Sequence, residues 1–159
     1  MKKTTLLLVW LLLGTLVSLG QITALFVNDE SEDEEHALLL YEFLKEDLPE
    51  LALFHAVDSV RAPTTDEMNP YQLVIWYCGS DAKDLYFWLG TDQNNIALIN
   101  YLDGGGKLWL MGSGFLNDKY INTPLVFSSP FFVYDYLGIW QWFLETYTDD
   151  GGKGVPQLD

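Results

Sequence analysis

Few residues in this 159-residue chain can act as a nucleophile, a base or a nitrogen or sulfur metal ligand: one cysteine, Cys78, and two histidines, His36 and His55. Cys78 follows the apolar run Leu73–Tyr77. Read as a strand, that run puts Cys78 at the end of a sheet where open α/β folds bind ligands. A cysteine nucleophile reacts as its thiolate and needs a cationic or basic neighbour. His55 closes another apolar run and is the residue that could serve, so a Cys78–His55 pair is the catalytic alternative. Asp81 and Asp84 argue against it, because nearby negative charge raises a thiol pKa. The plainer reading of Cys78 is a small buried thiol.

Ser113 lies between Gly112 and Gly114, which suits a sharp turn after a strand. A nucleophile elbow needs G-x-S-x-G, and position 111 is Met. Both histidines precede Ser113, so no base follows it in the chain, and a serine without a base has no route to deprotonation.

Asp29 to Glu35 holds six carboxylates and Ser31. Asp29, Ser31 and Asp33 have the alternate spacing that opens an EF-hand loop, but its sixth and twelfth positions hold Glu34 and Leu40 instead of Gly and Glu. A looser calcium site on Asp29, Glu30 and Asp33 stays open beside a plainer reading, an acidic cap on a helix N-terminus. Zinc is disfavoured by the separation of His36, His55 and Cys78 along the chain. The same run disfavours flavins and dinucleotides. It has no glycine for close backbone approach, and its carboxylates repel phosphate. Receiver-type phosphotransfer fails too, for want of an acceptor Asp at Cys78 and of a late-strand lysine.

The elements that must position these groups alternate. Ile22–Val27 reads as a buried strand. Ala37, Leu40, Tyr41, Leu44 and Leu48 recur at helical spacing, and Pro49 stops that helix. Leu51–Val57 is a second strand, and Ala62–Glu67 a turn or one helical turn. Leu73–Tyr77 is a third strand, and Asp81–Gly90 a loop, or a loop with a short helix. Thr91 is read as the cap of a helix whose buried face is Ile96, Ile99 and Leu102, broadened by Leu98 and Tyr101. Gly104–Gly106 ends it before a strand at Lys107–Met111. Phe131–Leu137 is read as helical. Continuous apolar strands between amphipathic helices imply an α/β fold, with a mostly parallel sheet and helices on both faces.

Residues 1–20 have the layout of a signal peptide. Lys2 and Lys3 precede the apolar run Leu6–Leu13, and Ser18 and Gly20 stand at −3 and −1 of a cut before Gln21. If it is not cleaved, the uncharged stretch Thr5–Val27 is long enough to span a bilayer and is the chain's one membrane contact. Residues 21–147 then form one domain, and 148–159 an Asp/Gly-rich tail or an incomplete last strand. With 23 Asp+Glu against 8 Lys+Arg, the formal charge is −15. Nucleic-acid binding through a basic surface is excluded. A lone cysteine allows no internal disulfide, so stability rests on the core.

The segments ALFVNDE, PTTDEMNPYQLVIWYCGSD, TDQNNIALINYLDGGGKLWLMGSGFLND and FFVYDYLGI occur in that order. In them the chain resembles the class I glutamine amidotransferase-like, flavodoxin-like domain of secreted multidomain bacterial proteins. The resemblance implies a Rossmann-like sheet and a secreted, periplasmic or cell-surface setting. It implies no particular activity. The family's nucleophilic Cys falls at the turn occupied here by Gly112–Ser113–Gly114, and no downstream His accompanies it. Such domains also continue past YLGI into a further strand, near where this chain ends.

The expected function is therefore a secreted, non-catalytic module with a structural or binding role, needing no cofactor. The alternatives are a thiol enzyme using Cys78 and His55, and a calcium-dependent domain that binds carbohydrate or protein. Phe131, Phe132, Tyr134, Tyr136, Trp140, Trp142, Phe143 and Tyr147 could stack on a glycan or anchor an extracellular protein partner. The plainer reading is that they cover the sheet.

Overall fold

A computed structural model describes residues 22–79, 83–88, 94–113, 115–120 and 124–142. Residues 1–20, read above as a signal peptide, Asp81, Thr91, Gly114, Phe143, Tyr147 and the tail 148–159 lie outside these residues. Four strands, β1 (Ala24–Asn28), β2 (Leu51–His55), β3 (Leu73–Tyr77) and β4 (Lys107–Met111), form one parallel sheet in the order β2-β1-β3-β4. The chain has an α/β, Rossmann-like fold, and the order is that of flavodoxin-like sheets.

The two inner strands are the most apolar runs, as burial on both faces requires. Alternation along them separates two cores. Ala24, Phe26, Leu51 and Ile75 face Tyr41 and, around it, Leu40 and Leu44 of helix α1 (Glu34–Asp47) and its C-cap Leu48. Leu25, Val27, Val74 and Trp76 face a larger cluster on the other side. It includes Met68 of α3 (Thr65–Met68), Phe87 of a 3₁₀ turn (Tyr86–Trp88), and Leu98 and Tyr101 of α4 (Ile96–Asp103). Helices thus cover both faces.

β3 and β4 span the runs read from the sequence. Other boundaries moved. β2 ends at His55, because the chain turns at once into α2 (Ala56–Ser59). Helix α4 starts at Ile96 and is capped by Asn95, not Thr91. The Asn95 side chain accepts from Leu98 N–H and donates to the Phe87 carbonyl, so this cap is also pinned to the core. That anchor sets the face: Leu98 and Tyr101 are buried, whereas Ile96 is exposed. The helix expected over Phe131–Leu137 shrinks to α6 (Phe132–Asp135). Beyond it the backbone turns at Gly138 (φ +69°) into β6 (Gln141–Trp142), which pairs antiparallel with β5 (Leu125–Val126). Between β4 and this ribbon lies α5 (Phe115–Lys119). Among the described residues no helix is long and apolar enough to cross a membrane.

The parallel register is flush. Asn28 stands opposite His55 on one side and Tyr77 on the other, and Tyr77 stands opposite Met111. All four strands end level, so Asp29, Ala56, Cys78 and Gly112 leave the sheet along one edge.

Candidate functional site

That edge is organised by Asp29, which is 1% exposed. Its Oδ2 accepts from the Trp76 indole N–H (2.9 Å) and the Phe87 amide (2.8 Å), and its Oδ1 accepts from the Tyr86 amide (3.0 Å). Burial pushes the carboxyl up to about 6, and the three donors offset part of that rise. A second carboxylate assists from α5: Asp118 accepts from the amides of Asp84 (2.7 Å) and Leu85 (3.1 Å). The segment from Asp84 to Trp88 is thereby fastened beside the strand ends. Phe87 packs edge-on to Trp76 at 5.2 Å, and both are buried. Among the described residues, Asp29 and the aromatic pair Trp76 and Phe87 are packed beside the ends of β1 and β3.

The first strand-to-helix turn is filled in a related way. Glu30 Oε1 accepts from the amides of Glu32 (2.7 Å) and Asp33 (3.3 Å). Asp33 caps α1 by accepting from the His36 amide (3.1 Å). In nucleotide-binding folds a phosphate takes these free N–H groups. Here carboxylates of the chain occupy the seat. The three acids considered for calcium therefore have separate tasks: Asp29 points into the core, Glu30 closes the turn, and Asp33 starts the helix.

Two glycines allow the close packing at this edge. Gly79 has φ +70°, and a methyl there would coincide with Glu30 Oε2. Gly112 has φ +134°, and its Cβ would stand 2.6 Å from the Gly79 carbonyl oxygen. Both positions need glycine for conformation and for space.

The candidate nucleophiles are placed unfavourably. Cys78 is 1% exposed, and its amide donates to the Met111 carbonyl at 2.8 Å. Burial pushes its thiol well above the ordinary range, and the carboxylates of Asp29, Asp118 and Glu30 push the same way. His55 ends β2, and β1 lies between it and β3. At the spacing of parallel strands, His55 and Tyr77 are about 10 Å apart along the sheet, and Cys78 lies one residue beyond. Ser113 follows β4, three strands from His55. Its amide donates to the Gly79 carbonyl at 3.0 Å, which fits a turn-forming role. The structure does not bring Cys78, His55 and Ser113 together.

His55 instead faces Glu34 Oε1 (3.7 Å) and Asp58 Oδ2 (3.9 Å) through Nδ1, while His36 pairs with Asp33 at 3.7 Å. Neither the Glu34–His55–Asp58 grouping nor Asp118 was legible as a site from spacing. Their members lie on separate elements, and a helical fold-back brings them together. Of the eight late aromatics, Phe132 is buried and stacks on Tyr136, and Trp142 packs on Tyr120. Tyr134, Tyr136 and Trp140 remain exposed, Trp140 at 62%.

Comparison of this chain with protein-family models, with curated proteins and with solved structures finds no match.

Proposed function

We propose that the protein is an exported, non-catalytic α/β module of the amidotransferase-like type, with a structural or binding role at the cell exterior. One observation carries this reading: the strand order puts β1 between His55 and Cys78, and the strand ends beside Cys78 are filled by Asp29, Phe87 and Trp76. A thiol raised by burial, with His55 two strands away, is a poor nucleophile. The self-occupied turn at Glu30 supports the same reading, since the amides of Glu32 and Asp33 that a phosphate would take there already donate to Glu30. Export rests on the layout of residues 1–20. The exposed rings of Tyr134, Tyr136 and Trp140 are the surface on which a protein or glycan partner would find apolar contact.

Alkylation tests the reading. Iodoacetamide near neutral pH should label denatured protein fully at Cys78 while leaving the folded protein almost unlabelled. Rapid stoichiometric labelling of the folded protein would restore the Cys78–His55 enzyme. N-terminal sequencing of the exported protein should begin at Gln21.

A further inference from the structure

We propose that Glu34, His55 and Asp58 form a binding site for one divalent transition-metal ion of the zinc class. The three side chains come from three elements: the first residue of α1, the last of β2 and the third of α2. One ligand atom from each lies within 4.8 Å of the other two. Zinc bonds of about 2.0–2.2 Å in a tetrahedron separate ligand atoms by about 3.4 Å. The observed Nδ1–carboxylate separations, 3.7 and 3.9 Å, are within a small side-chain adjustment of that value.

Two independent features support the placement. The same three residues line a small cleft of about 50 Å³, closed on its other walls by Asn28, Glu30, Ser31 and Val57. That is room for an ion and its remaining water ligands. The cleft is also short of positive charge. Among the described residues Glu34 and Asp58 pair with His55 and with no lysine or arginine. A dication there offsets charge that one imidazole does not balance.

The donor set selects the class of ion. One imidazole nitrogen with two carboxylates suits zinc, cobalt or manganese, whereas calcium favours an all-oxygen shell over an imidazole. Three protein ligands leave positions for water or a partner's group. This site is independent of whether the protein is exported and of Cys78 chemistry.

Zinc titration of the protein by calorimetry, with cobalt absorption as the spectroscopic readout, tests the proposal. We expect one equivalent bound, visible d–d bands with cobalt, and a Tm rise of about 5 °C or more at zinc a hundredfold above Kd. His55→Ala should weaken binding by about 100-fold and remove the cobalt bands, and Glu34→Gln and Asp58→Asn should each weaken it by about tenfold or more. His36→Ala, which alters the other histidine, should bind like the parent. Near-UV circular dichroism of each variant confirms folding. The proposal is overturned if zinc gives neither heat nor a Tm shift. It is equally overturned if His55→Ala binds as the parent does, if His36→Ala loses binding, or if calcium binds as tightly as zinc.

Discussion

At the scale of single residues, Asp29 matters most. It gathers three N–H groups that would otherwise be orphaned beside the core, one from β3 and two from the Tyr86–Trp88 turn. Its position after the first strand is the place where many α/β folds put a reactive acid, and the sequence marks it as acidic and no more. Nothing in the spacing says that the side chain turns inward, because its donors lie 47, 57 and 58 residues away. Its titration makes a prediction. Raised from 3.8 to about 6 in the folded protein, the carboxyl holds its proton more tightly folded than unfolded. Its contribution to stability is therefore full below about pH 4 and is lost as pH rises through 6, a change of about 3 kcal/mol. Urea unfolding of the parent and of Asp29→Asn should show the parent losing stability relative to the variant by roughly that amount between pH 4 and pH 7. Parallel pH profiles would mean that the group titrates normally.

At the scale of elements, β3 and β4 were the most legible part, because apolar runs bounded by turns have few other uses. Leu73–Tyr77 and Lys107–Met111 are strands end to end. Helix α1 was legible through its acidic first turn and its apolar stripe. What was not legible were elements set by distant partners. Asn95 takes over the start of α4 because its side chain can also reach the Phe87 carbonyl. The β5–β6 ribbon is two residues per strand, too short to leave a pattern. The turns after β1, β3 and β4 interlock through Glu30, Gly79 and Gly112, so one methyl should disturb several at once. Gly79→Ala must adopt φ near +70° and displace Glu30 from the amides of Glu32 and Asp33. We expect a loss of about 3 kcal/mol, made of left-handed backbone strain and lost hydrogen bonds. Thermal unfolding of Gly79→Ala beside Gly105→Ala checks it. Gly105 has open space around its Cβ position, so its variant carries backbone strain alone and should lose less. Equal losses would show that the Glu30 contact contributes nothing.

At the scale of the whole molecule, the level ends of four parallel strands create two different neighbourhoods on one edge. Over β1 and β3 the edge is closed by Asp29, Trp76 and Phe87, with Cys78 beneath. Beside β2 it opens into the small acidic cleft around His55. The acidic composition was legible from the start. Which carboxylates are structural and which are available was not legible, since both kinds crowd into Asp29–Glu35. Among the described residues, the ends of β1 and β3 are occupied by the chain's own Asp29, Trp76 and Phe87. Hydrogen exchange followed by NMR at neutral pH tests it most directly. The Trp76 indole N–H and the amides of Tyr86 and Phe87 should exchange as slowly as the amides of Phe26 and Ile75 in the sheet centre. Exchange of those three groups at the rate of an unstructured peptide, with the sheet still protected, would show that the end stands open and would contradict the account.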